Sequence, residues 1–185
     1  MEFEASRILS AVGAVLLAAG SFISGLGIVG VILLLVGLKG LADAYRDESI
    51  FKNAIYALIF EVAANGAFLF IFFGAVFNAL RRWVLGGGGF LALLSGFGLA
   101  LAAATILLTV GAYFYRKSFI ALSARSREHL FEASGLLLLI GAILTIILIG
   151  RFVTLAAWMV AAVAFFTIKP PPIQQPPSPI EAQSL

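Results

Sequence analysis

The chain has no cysteine, a single histidine and no proline before residue 170. Without thiols there can be no disulfide, thiolate metal site, iron–sulfur cluster or cysteine nucleophile. One histidine, His129, beside Glu128 and Glu132 does not make a metal-ligand spacing, and a solvated charge cluster is the simpler reading. Charge is scarce as well, at 11% of 185 residues, where soluble domains carry about 25%. No run of cations interleaved with aromatics is present, so nucleic acid is not an expected partner. The sequence also lacks HExxH, a nucleophile elbow and paired intramembrane aspartates. The chain is therefore expected to be non-catalytic and to need no cofactor or metal.

Apolar side chains are what the sequence has in excess. They make up 62% of it, with a mean hydropathy of +1.11. A compact soluble fold of this size leaves too much surface outside to hide that quantity. The solvent must be lipid, and the expected fold is all-α, a polytopic transmembrane bundle. Six apolar segments cover residues 8–23, 26–44, 54–80, 90–115, 133–149 and 152–168. A hydrocarbon core of about 30 Å takes about 20 helical residues. The third and fourth segments exceed this length, whereas the first, fifth and sixth fall short of it. Residues 8–44 as one helix would measure about 55 Å, so a hairpin turn is expected near Gly20–Gly25. Gly150-Arg151 divides the last two segments in the same way. The N-terminal stretch carries Glu2, Glu4 and Arg7, a poor n-region for a cleaved signal, so the first segment is read as a retained span.

Orientation follows from the cations. Six spans place Arg7, Lys39, Arg46, Lys52, Arg116, Lys117, Arg125, Arg127 and Lys169 on one side and Arg81, Arg82 and Arg151 on the other. Nine against three predicts both termini in the cytoplasm and a multi-pass protein of the cytoplasmic (cell) membrane. Tyr45, Tyr56, Tyr113 and Tyr115 fall at the same helix ends, where each hydroxyl is expected to reach water. Asp47 and Ser49 are candidate N-caps for the third helix. Residues 116–132 either lie on the membrane surface as an amphipathic segment or extend helices four and five, and extension is favoured. The domain division is 1–168 for the membrane unit and 169–185 for a proline-rich, disordered tail.

Within the spans, Glu61 is the one acidic residue away from a helix end, about 13 Å beyond Lys52. A carboxyl at such depth is costly and marks a candidate site. Asn65 is one turn further along. On the fourth helix Thr105, Thr109, Tyr113 and Arg116 form a polar stripe that comes level with Glu61 if the helices pair antiparallel. The expected cluster is Glu61, Asn65, Thr105, Thr109 and Tyr113, acting either as interhelical hydrogen-bonded glue or as an ion or proton site. Gly25-Leu26-Gly27-Ile28-Val29-Gly30 matches GxGxxG, but it sits in an apolar helix without a βαβ context and reads as close helix packing. Ser10, Ala14 and Ala18, and likewise Gly96, Ala100 and Ala104, are small-residue stripes of the same kind. They serve contacts within the bundle or with a second copy or another membrane protein.

The polar loop carries a resemblance. Gly37-Leu38-Lys39-Gly40-Leu41-Ala42-Asp43-Ala44-Tyr45, followed by residues 47–54, resembles an uncharacterised, mainly archaeal membrane protein family, domain of unknown function 996. Leu130–Gly135 running into Ile140–Leu144, and the closing Val163–Ile168, are similar to it too. The resemblance spans about residues 8–168. It implies a small integral membrane protein and brings no activity, substrate or catalytic residue. The functional expectation is a non-catalytic membrane component embedded in the lipid bilayer, which scaffolds, binds partners or modulates the bilayer. The alternative is a small transporter or channel subunit using Glu61.

Overall fold

The computed structural model describes residues 2–21, 24–147 and 149–171. All regular structure among them is helical, in the order α1 Phe3–Gly20, α2 Ser24–Tyr45, α3 Glu48–Val84, α4 Gly89–Ser126, α5 Leu130–Leu144 with a 3₁₀ turn Thr145–Ile147, and α6 Gly150–Thr167. Six helices are long and apolar enough to cross a membrane. The chain turns back between α1 and α2 as expected, whereas the second break lies between Leu144 and Gly150, with Gly150 and Arg151 already the first residues of α6. The expected tail begins as non-helical Lys169–Pro171, and its remainder, 172–185, lies outside the described residues.

Each helix packs on its neighbours in sequence and α6 returns to α1, so the six close into a circuit whose least extensive junction is α2 with α3. Small residues set the distances. A Cβ added to Gly13 of α1 would lie 2.5 Å from the Leu34 nitrogen and 2.8 Å from the Gly30 oxygen of α2. Those contacts are with backbone, which cannot swing away. The GxGxxG segment is therefore a packing surface at Gly30, while Ser10, Ala14 and Ala18 are buried as well, Ser10 against Gly37. At the terminal end Phe3 meets Tyr45 edge-on at 6.0 Å, and the Tyr45 hydroxyl donates to the Lys169 carbonyl. The two ends of the described chain are thus held together.

The α2–α3 corner is built from the backbone. Arg46 has φ 54°, and the Asp47 amide donates back to the Ala42 carbonyl at 2.9 Å, the pattern of a Schellman stop. Asp47 then caps α3, accepting from the Ser49 amide at 3.1 Å. Of the two expected caps, Asp47 is the acceptor.

The lengths differ from the sequence expectation. α3 has 37 residues and α4 has 38, each about 55 Å long, because α4 continues through residues 116–126 and α3 begins at Glu48. Residues 116–126 therefore extend α4 instead of forming a separate surface segment. The α1 and α6 helices have 18 residues each, or about 27 Å. Gly111 faces Ala57, Gly96 faces Ala75 and Gly89 faces Ala79, so α3 and α4 pair in steady register to their tip. With 38 residues, α4 outruns α5 and its 3₁₀ turn, 18 residues together, so the hairpin runs on beyond the short helices. From residue 65 to 99 only Gly89 is buried. Arg151 opens α6 near the end of the short helices, while Arg81 and Arg82 stand at the hairpin tip. The three cations of that side thus occupy two depths.

Substituting Gly13→Ala should destabilise the bundle by about 1–3 kcal/mol through overpacking. Gly66→Ala, whose added methyl meets nothing within 4 Å, should be neutral or stabilising by up to about 1 kcal/mol from helix propensity. Melting of both variants in detergent beside wild type checks this contrast.

Candidate functional site: a half-buried carboxyl between α3 and an aromatic core

Glu61 lies on α3 one turn from Ala57, where Gly111 lets α4 come close. There a Cβ on Gly111 would stand 3.2 Å from the Ala57 oxygen and 3.4 Å from the Phe60 Cβ. The absence of a side chain at 111 lets the two helices close there, and the half-buried Glu61 meets a side chain of α4. Its Oε2 accepts a hydrogen bond from the Tyr115 hydroxyl at 3.4 Å, a long and weak contact. Tyr115 is buried. Its ring meets Trp158 of α6 edge-on at 5.3 Å, and Trp158 in turn meets Phe119 at 6.2 Å. Phe119, Phe131 and Phe165 complete the cluster, the last two 4.9 Å apart. The carboxyl therefore sits at the edge of an aromatic core shared by α4, α5 and α6.

The cluster expected from sequence is arranged differently. Asn65 is exposed and donates to the backbone oxygen of Glu61 at 2.8 Å. Thr105 and Thr109 donate to the carbonyls of Leu101 and Thr105, both at 2.8 Å. Each of these groups is satisfied by its own helix, one turn back, as short polar side chains in apolar surroundings often are. Tyr113 is 45% exposed, with the Lys117 ammonium 4.9 Å from its ring centre. The phenol that meets Glu61 is Tyr115, two residues on and more than half a turn around the helix. A signal for it was present: the small stripe Gly96, Ala100, Ala104 continues along the same face to Gly111 and Tyr115.

The tyrosines also divide. Tyr56 and Tyr113 are exposed, whereas Tyr45 and Tyr115 are buried with their hydroxyls bonded to protein. Other buried hydroxyls tie helices across the bundle: Ser118 donates to the Ile50 carbonyl at 2.6 Å and Ser134 to the Ala157 carbonyl at 2.8 Å. These cross-helix bonds are the interhelical glue that the polar stripe was expected to supply.

A second polar group closes the terminal end. Asp47 accepts from the Ser49 hydroxyl at 2.6 Å and from Arg125 Nε at 3.0 Å, joining the start of α3 to the end of α4. The Ser49 hydroxyl and, after it, Arg125 hold the Asp47 carboxyl below its ordinary range. His129 is exposed, its Nδ1 3.9 Å from Glu132, and Glu132 also accepts from Ser123 at 2.9 Å. Among the described residues, no three His, Cys, Asp or Glu side chains converge as a metal site would require.

A comparison with protein families finds that residues 26–159 match the family described as "Protein of unknown function (DUF996)". The chain is 30% identical over 169 residues to "Uncharacterized protein MJ1644" of Methanocaldococcus jannaschii, covering 91% of this chain and 94% of that protein. No solved structure matches.

Asp47→Ala should cost about 1 kcal/mol through loss of the helix cap. The depressed carboxyl adds a pH signature, because its stabilisation is present above the unfolded value of about 4 and is lost as pH falls through the lower folded value. The melting difference between wild type and Asp47→Ala should accordingly be full at pH 7 and narrow below about pH 4.

Proposed function

Because the chain belongs to the DUF996 family, whose description assigns no activity, we propose from its geometry that it is a non-catalytic scaffold. We place it in the cytoplasmic membrane, self-associating through its long α3–α4 hairpin. The observation that carries this reading is the mismatch of lengths. Between Lys52 and Arg81, α3 has 28 residues, and Glu61 is the only charged one. That amounts to about 42 Å of helix against a hydrocarbon core of about 30 Å. Such excess is relieved by tilting, by thickening the bilayer or by association.

The hairpin has the shape for association. Phe70, Phe73 and Phe77 project from α3, exposed at 83%, 64% and 73%. Phe72, Phe90, Leu93, Leu94 and Phe97 line an apolar notch of about 210 Å³ on the same hairpin. Knob and notch on one element suit a two-fold interface, in which each copy offers both. The nine cations at the terminal end, against three on the other side, put the termini in the cytoplasm.

The test uses the natural absence of cysteine. Phe77→Cys in native membranes should form a disulfide-linked dimer on mild oxidation, while Ile28→Cys, equally exposed on α2, should not. Equal crosslinking at both positions, or none at either, overturns self-association through the hairpin.

Glu61 supports a second reading, a small ion or proton pathway, since a carboxyl at that depth is costly to keep. On the scaffold reading, Glu61→Gln loses about 1 kcal/mol of stability, and wild-type proteoliposomes pass protons no faster than empty ones. Proton flux present in wild type and abolished in Glu61→Gln would install the transport reading instead.

A further inference from the structure

The circuit of helices has a gap in its wall. At the α2–α3 junction a groove of about 430 Å³ opens outward, lined by Leu35, Val36, Phe51 and Ile55, with Lys39 and Asp43 at its mouth. Its apolar part faces what would be hydrocarbon, so an acyl chain is the natural filler. The mouth adds chemistry that a plain lipid-facing surface lacks. Lys39 Nζ lies 2.8 Å from Asp43 Oδ1 and 5.6 Å from the centre of the Phe51 ring.

Three features make this pair a receptor for a headgroup instead of a structural bridge. Both side chains are more than half exposed, at 52% and 56%, and ion pairs so exposed are worth little and open readily. Asp43 is one turn nearer the terminal end than Lys39, so the Lys39 ammonium reaches forward along α2. Side chains ordinarily lean toward the helix N-terminus, and the forward reach is that of a lysine snorkelling to the headgroup level. Finally, the mouth presents one cation and one anion about a turn apart. An anionic headgroup would satisfy Lys39 and be repelled by Asp43. A headgroup carrying both a phosphate and a primary ammonium satisfies both, the phosphate accepting from Lys39 and the ammonium donating to Asp43.

We propose that the α2–α3 groove is a binding site for a phospholipid with a primary-amine headgroup, its acyl chain along Leu35, Val36 and Ile55 and its headgroup bridging Lys39 and Asp43. The choline headgroup, a quaternary ammonium with no N–H, cannot donate to Asp43. The glycerol headgroup carries no positive charge to pair with it.

The experiment is native mass spectrometry of the delipidated full chain, with phosphatidylethanolamine, phosphatidylcholine or phosphatidylglycerol of identical acyl chains added back. Wild type should retain phosphatidylethanolamine about tenfold more than either competitor, the fold-change of one charge-assisted contact. The double variant Lys39→Gln with Asp43→Asn should bind all three alike while melting, lipid-free, within a few degrees of wild type. Phosphatidylglycerol preferred by wild type would overturn the proposal in favour of a simple cationic site. Equal retention of the three lipids by wild type overturns it whether or not the double variant folds.

Discussion

In hydrocarbon a backbone has only itself to bond with, and this constraint shapes the whole molecule. Every span must be helical, since an unpaired amide or carbonyl costs several kcal/mol where water is absent. The same solvent removes the usual reason for helices to meet, because lipid tails satisfy a leucine as well as another leucine does. What remains is shape and a few polar bonds. Close approach of α1 and α2 rests on Gly13 and Gly30, and cross-helix hydroxyl bonds such as Ser118 to Ile50 and Ser134 to Ala157 reinforce the bundle. The aromatic cluster of Tyr115, Phe119, Phe131, Trp158 and Phe165 fills the interior that the small residues leave open elsewhere.

Glu61 belongs to this economy of polar groups in lipid. It sits beside the close α3–α4 contact at Gly111, bonded to Tyr115, whose ring belongs to the aromatic cluster. Its neighbours in sequence, and the threonines of α4, turn their polar atoms back to their own helices. Among the described residues its hydrogen-bond partner is one phenol, a sparse arrangement. Asp47 and Arg125 form a separate polar cap at the terminal end.

The two long helices divide the protein into a six-helix zone and a two-helix zone. In the first, each helix has neighbours on both sides and the core cluster is continuous. In the second, α3 and α4 have only each other, and phenylalanines stand out from the pair. A partner copy seated on the hairpin and a lipid seated in the α2–α3 gap would act in different zones, so the two can be examined independently.

The sequence alone determined the solvent, the helical class, the division into six spans and the Asp47 cap. Those properties follow from composition, glycine and charge placed along one dimension. It also marked the stripes Ser10, Ala14, Ala18 and Gly96, Ala100, Ala104, because small residues repeating every four positions share a face whatever lies opposite. Tertiary structure decided which side of each helix turned inward. Hydroxyls every fourth residue suggested that Thr105, Thr109 and Tyr113 faced Glu61, but the approach at Gly111 rotated Tyr115 into that place. It likewise buried Tyr45 and Tyr115 while leaving Tyr56 and Tyr113 outside. The reason is physical: in lipid both faces of an apolar helix are acceptable to the solvent, so hydropathy carries no information about rotation, and only the fit of one helix surface into another selects it.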